Sequence, residues 1–248
     1  MILVTGGTGH LGAELVAQLL DREIPVRVLT RSPERARRLL GERPEIVHGD
    51  VRDPRSLPPA QSGVDGMVSA MTGFGPGGDG PRAVDYVGNL HLIRVAEAQG
   101  VHRFVLVSVH GAAADHPMEL MRMKHAAEDA LRRMWLDWVI LRPTPLMRLW
   151  VKIVGDPIVE HRTTSVFGRG DNSINLVAEA DPGGLRHQRY EPGCRRAAKQ
   201  ISASQAPWCG GRHPPAVRPN GREQFFQRTN TRGNPRGTTL YRIARTAG

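Results

Sequence analysis

Short apolar strands alternate with amphipathic helices along the first 177 residues, a cluster of glycines joins the first strand to the first helix, and composition shifts abruptly near Val177. These observations predict an α/β chain with a doubly wound parallel sheet, followed by an irregular basic C-terminal segment. Ile2-Leu3-Val4 reads as a short buried strand. Gly6, Gly9 and Gly12 make the turn after it, and Leu11, Leu15, Val16, Leu19 and Leu20 carry the period of a helix. A strand, a glycine turn and a helix N-terminus together form a Rossmann-type pyrophosphate site. Free N–H groups and the helix dipole favour an anion there, and glycine permits close approach. Gly6, Thr8, Gly9, His10, Leu11 and Gly12 are the candidate cofactor-binding residues of this turn.

The remaining elements follow in order. Val26–Leu29 is a second strand. Ser32-Pro33 starts a helix, with a capping hydroxyl and then proline at the first helical position, and the helix stops near Gly41. Glu45–Gly49 is a third strand and Gly66–Ala70 a fourth. Gly73–Gly80 is a glycine-rich loop. Val84–Gln99 reads as one helix closed by Gly100. Arg103–Ser108 is a fifth strand, Glu119–Met134 a helix and Trp138–Leu141 a sixth strand. Strands this apolar belong to a sheet covered on both faces.

The net charge of +10 is unevenly placed. Residues 1–177 hold 21 Lys+Arg against 20 Asp+Glu, whereas residues 178–248 hold 13 against 4. The latter segment has only five Ile, Leu or Val, so it cannot bury enough surface to offset an ordering entropy of about 1–2 kcal/mol per residue. The expected organisation is therefore a dinucleotide-binding domain over 1–177 and a core-poor, arginine-rich tail over 178–248, disordered or loosely attached. A +9 tail would hold nucleic acid only nonspecifically, through phosphates. No run is apolar enough to span a membrane, and Met1 leads straight into a strand, so neither a membrane partner nor a secretory leader is expected. Cys194 and Cys209 make no disulfide framework, and with His187 and His213 they lack zinc spacing. A cytoplasmic protein without a metal is the expectation.

Cofactor choice is read at the end of the second strand, where an acid accepts the ribose hydroxyls of NAD and an arginine accommodates the 2′-phosphate of NADP. Arg31 stands there, so NADP is expected, with NAD possible. Asp50 and Val51 after the third strand are placed either to flank the adenine or as a plain strand-end turn. Ala70 ends the fourth strand on the carboxyl edge, where ligands bind in open α/β sheets.

Val84–Leu90, Gly100–Ser108, Lys124 on its helix, Leu136–Thr144, Phe167–Asn172 and Ile174-Asn175 together resemble the NmrA-like, atypical short-chain dehydrogenase/reductases. The resemblance covers residues 1–177. It implies an extended Rossmann fold and NADP(H) binding. Members reduce quinone-like or carbonyl substrates, are related to epimerases, or act as redox-sensing regulators without turnover. Catalytic relatives place a Tyr four residues before a Lys, and the lysine holds the nicotinamide ribose and lowers the tyrosine pKa. Here Lys124 is present but Leu120 stands in the tyrosine position. The resemblance thus implies a ribose role for Lys124. It sets Ser108 either near a substrate carbonyl or as a capping hydroxyl, and His110 either as a substitute acid or as a loop residue. Relatives continue after Asn175 with a substrate lobe, and the basic segment here reads as a diverged appendage or a frame-shifted remnant of that lobe. The expected function is an NADP(H)-binding reductase of a small carbonyl or quinone-like acceptor, or a non-catalytic NADP(H) sensor.

Overall fold

A computed structural model describes residues 1–75, 78–167 and 176–178, together with strands at 199–202, 226–229 and 238–243. The strands in chain order are β1 (Ile2–Thr5), β2 (Val26–Thr30), β3 (Glu45–His48), β4 (Gly66–Ser69), β5 (Arg103–Val107), β6 (Asp137–Arg142), β7 (Thr163–Phe167), β8 (Lys199–Ser202), β9 (Phe226–Thr229) and β10 (Thr238–Ile243). The helices are α1 (His10–Leu20), α2 (Pro33–Leu40), α3 (Leu57–Gln61), α4 (Asn89–Ala98), α5 (Glu119–Arg132), α6 (Met147–Trp150) and α7 (Asp156–His161). The chain forms two compact units: residues 1–144 with 179–205, and residues 145–178 with 206–248.

The first unit is a parallel sheet of order β3-β2-β1-β4-β5-β6-β8. The chain runs outward from β1 to β3, then returns to place β4 on the other side of β1. That reversal is the switch point where ligands bind in such sheets. Alternation along β1 feeds two cores. Leu3 joins Met67, Phe104, Leu106 and Ile140 on one face, under Leu57 and Ala60 of α3, Leu92 and Ile93 of α4, and Ala127 and Leu131 of α5. Val4 joins Val26, Val28 and Val16 of α1 on the other. The near-continuous apolar runs of the strands follow from burial on both faces.

The helix expected over Val84–Gln99 has two parts. A wide π-helical segment, Arg82–Gly88, runs directly into α4. Both share the apolar spacing of one helix, so sequence periodicity does not separate them. The π segment turns Asp85, fully buried, inward. The sequence reading also lacks α3, a five-residue helix with Pro58 and Pro59 in its first turn, where a missing N–H costs nothing. Gly41 and Gly100, the expected helix-ending glycines, have φ of 74° and 68°.

The second unit contains α6, a π-helical turn at Val151–Gly155, α7, and an antiparallel sheet of order β7-β10-β9. A parallel bridge joins Leu146 to Val177. Among the described residues, three strands thus lie within 178–248, where the sequence reading places no element, because runs of four to six residues are too short to show a period. The rest of that segment, and Gly168–Asn175 of the resemblance, lie outside the described residues. Among the described residues, no helix is long and apolar enough to cross a membrane.

Candidate functional site

The glycine turn sits at the carboxyl end of β1, beside the end of β4. Gly6 has a φ of 76°, and a Cβ there would lie 2.5 Å from the Ala70 carbonyl oxygen. A Cβ at Gly12 would lie 2.1 Å from the Gly6 oxygen. These two glycines let the turn pass β4 and let α1 seat on the turn. Gly9 is different. It is exposed, and an added Cβ would meet only the Gly6 oxygen, at 3.3 Å. Gly9 N–H donates to Gly6 O at 3.0 Å, and Ala13 N–H donates to Gly9 O at 2.9 Å. The N–H groups of His10, Leu11 and Gly12 fall in the first turn of α1, where no intrahelical acceptor exists. Gly9, the residue before α1, brings no side-chain cap to this end. A bare helix start with small, open residues in front of it is a cradle that fits a pyrophosphate. Thr8 and Leu11 are half-buried and His10 is exposed.

Arg31, exposed at the end of β2, meets the Asp79 carboxylate from the Gly73–Gly80 loop. Asp79 also meets Arg52, whose guanidinium chelates Asp50: Nε lies 3.0 Å from each carboxylate oxygen and Nη2 2.6 Å from Oδ2. The hydrogen bonds from Arg52 hold the Asp50 carboxyl below its ordinary pKa. The Asp50 carboxylate is thus engaged by Arg52. The Val51 side chain abuts Gly88, and the Val51 carbonyl accepts from His91 Nδ1 at 2.8 Å. Ala70 is half-buried over Gly6, and its N–H donates to Thr5 O at 3.0 Å.

Lys124 is buried on α5. Its ammonium donates to the carbonyls of Met71 and Val107, both at 2.9 Å, and pairs with Asp85 Oδ1 at 3.0 Å. Asp85 Oδ2 accepts from Gly73 N–H at 2.8 Å, and Asn89 links Asp85 to Ser69 at the end of β4. The lysine therefore ties the ends of β4 and β5 to α5. Ser108 is buried too, and its hydroxyl donates to Glu128 Oε1 at 2.5 Å. Glu128 also accepts from Arg142 Nε at 2.8 Å and Nη2 at 2.5 Å, and from Arg132 Nη2 at 2.8 Å. Burial pushes the Glu128 carboxyl up, but the hydrogen bonds from Arg142 and Ser108 and the charges of Arg142 and Arg132 outweigh it. Its pKa lies below the ordinary value. A carboxylate so held is a weak base. His110 is exposed, with its N–H on Pro143 O at 2.8 Å.

Sequence reasoning missed Asp85, Asn89, Glu128, Arg52 and Asp79. Glu128, four residues after Lys124 on α5, carried the only readable signal, a shared helix face.

This fold and turn define a Rossmann protein of the NAD(P)H-binding class. The chain belongs to the NAD(P)H-binding family, whose sequence profile matches residues 6–169, and it is oxidoreductase-like. It is 34% identical over 192 residues to NAD(P)H azoreductase of Xenophilus azovorans, covering 74% of this chain and 64% of that one. It is 33% identical over 172 residues to photosystem II assembly factor Ycf39 of Synechocystis sp., covering 69% of this chain and 52% of that one. The chain thus spans less than two thirds of the length of either relative. The structure of Citrobacter sp. triphenylmethane reductase complexed with NADP(H) superimposes with a TM-score of 0.51 and 27% identity, covering 60% of this chain and 51% of that one.

Proposed function

We propose that this chain binds NADP(H) in preference to NAD(H) and passes hydride from it to a small planar acceptor of the carbonyl, quinone or azo class. The observation that carries the reading is Arg31 at the end of β2, with Arg52 beside it on a shared anion. Two guanidiniums suit a phosphate through charge-assisted bonds. The named activity of the azoreductase relative and the NADP(H) of the triphenylmethane reductase support it.

The cofactor, when bound, supplies the hydride. The residues of this chain bind and orient. The first-turn N–H groups of α1 hold the pyrophosphate, Gly9 leaves room for it, and Arg31 takes the 2′-phosphate. Lys124 keeps the ends of β4 and β5 in register beneath the site. A cytoplasmic setting and a small-molecule partner belong to this reading.

A second reading is favoured by one specific observation. Leu120 stands where catalytic relatives carry tyrosine, and the Lys124 ammonium is engaged by Asp85 and two carbonyls. A protein without a proton donor at that place suits NADP(H) sensing or assembly work, the latter being the named role of the Ycf39 relative. Calorimetry with NADPH and NADH, followed by NADPH oxidation with a quinone, an azo dye and a triphenylmethane dye, separates the readings. Tight NADPH binding with turnover of any acceptor supports the reductase. Binding with no turnover supports the sensor. Equal affinities for NADPH and NADH overturn the cofactor reading.

A further inference from the structure

Three separate loops converge on one carboxylate. Arg31 follows β2, Arg52 follows β3, and Asp79 belongs to the loop after β4. One Asp79 oxygen meets Arg31 Nη1 and the other meets Arg52 Nη1. The side chain of Asp79 is 26% exposed, against 58% for Arg31 and 40% for Arg52, so the anion is the most enclosed member of the set. Arg52 is fixed from behind by its chelate with Asp50, which leaves Nη1 facing Asp79. Asp79 is followed by Gly80, with a φ of 88°, and Gly75 has a φ of 116°. Such positive-φ positions let this loop bring a carboxylate back across the ends of β2 and β3.

Building on the NADP(H) reading, we propose that Asp79 is an internal competitor for the 2′-phosphate: Arg31 and Arg52 together form the phosphate receptor, and the Asp79 carboxylate is exchanged for the phosphate, setting how strongly NADP(H) is preferred over NAD(H). Charge favours exchange: a carboxylate and a phosphate monoester are both anions at neutral pH, and crowding both against the same two guanidiniums incurs like-charge repulsion. Exposed ion pairs contribute little net stability, so the exchange is cheap. Arg52 keeps its Asp50 chelate throughout and changes only the partner of Nη1. A phosphate offers three terminal oxygens and a higher charge to the two guanidiniums, where a carboxylate offers two oxygens and one charge.

The test uses the full chain and two probes that differ only by the phosphate, ADP-ribose and ADP-ribose 2′-phosphate, titrated by calorimetry at constant low salt. Asp79→Asn is expected to tighten the 2′-phosphate probe at least threefold and leave ADP-ribose within twofold. Arg52→Gln is expected to weaken the 2′-phosphate probe alone. Circular dichroism melts of each variant confirm an intact fold. If the parent prefers the 2′-phosphate probe and Asp79→Asn leaves that preference unchanged, the competitor proposal falls while the NADP(H) reading stands. If Asp79→Asn weakens ADP-ribose, the carboxylate serves the ribose hydroxyls, and the proposal is overturned in favour of an NAD(H) site. If the parent shows no preference between the probes, the NADP(H) reading falls and the proposal with it.

Discussion

Lys124 and Asp85 form a buried ion pair, Nζ to Oδ1 3.0 Å, with the aspartate wholly enclosed and the lysine side chain 6% exposed. The pair couples α5 to the π-helical segment before α4 and to the end of β4. Removing the lysine alone leaves a buried carboxylate without its cation. Lys124→Met should therefore cost about 3 kcal/mol of stability. Adding Asp85→Asn should recover a large part of that loss, because an amide tolerates the site better than an uncompensated charge. Urea denaturation of the parent and the two variants checks this. An unchanged midpoint for Lys124→Met would show that the pair is not structural.

Glu128 yields a pH prediction. Its pKa is lower in the folded chain than the ordinary value of about 4.3 for an unfolded one. Ionisation therefore favours the fold. That contribution is fully present above about pH 4.3 and is lost as pH falls through the depressed folded value. Glu128→Gln should cost about 3 kcal/mol near neutrality, since Arg142 and Arg132 lose their shared anion. It should also flatten the acid limb of the stability curve. Denaturant midpoints between pH 7 and pH 3 give the answer, and parallel curves for parent and variant would refute it.

The glycines of the turn should separate into two classes. A Cβ at Gly12 would lie 2.1 Å from a backbone oxygen that has no room to move, so Gly12→Ala should destabilise by about 1–3 kcal/mol. Gly9 has ordinary backbone angles and only a 3.3 Å contact. Gly9→Ala should melt within about 3 °C of the parent and yet bind NADPH more weakly. Thermal melts and calorimetry measure both, and equal loss of stability in the two variants would contradict the assignment.

Charge reversal tests the cofactor preference. Arg31→Asp places an acid where a ribose diol is read and removes one guanidinium from the phosphate. NADH should then bind more tightly than NADPH. Retention of the parent preference by this variant would place the 2′-phosphate elsewhere.

Strands β1 to β6 were legible because each carries an apolar run in a covered sheet. The turn was legible because glycines at 6, 9 and 12 follow β1 directly. The polar networks were not. Asp85 and Glu128 look like solvent-facing acids on a helix, and only the fold brings Lys124 and Arg142 to them. Asp79 stands in a glycine loop with no period, so nothing local announces its arginines. β8 pairs with β6 across more than fifty residues, and a four-residue strand leaves no pattern to read.

The strand order carries a consequence for synthesis. β1 is flanked by β2 and β4, and 35 residues separate the end of β2 from the start of β4. A ribosome adding about 5–20 residues per second takes about 2–7 s to make them. Through that interval one edge of β1 has no partner, and Leu3 lacks Met67, Phe104, Leu106 and Ile140 of its final core. Nascent chains would be most vulnerable to pairing with one another in that window, which is where a chaperone would have most to protect.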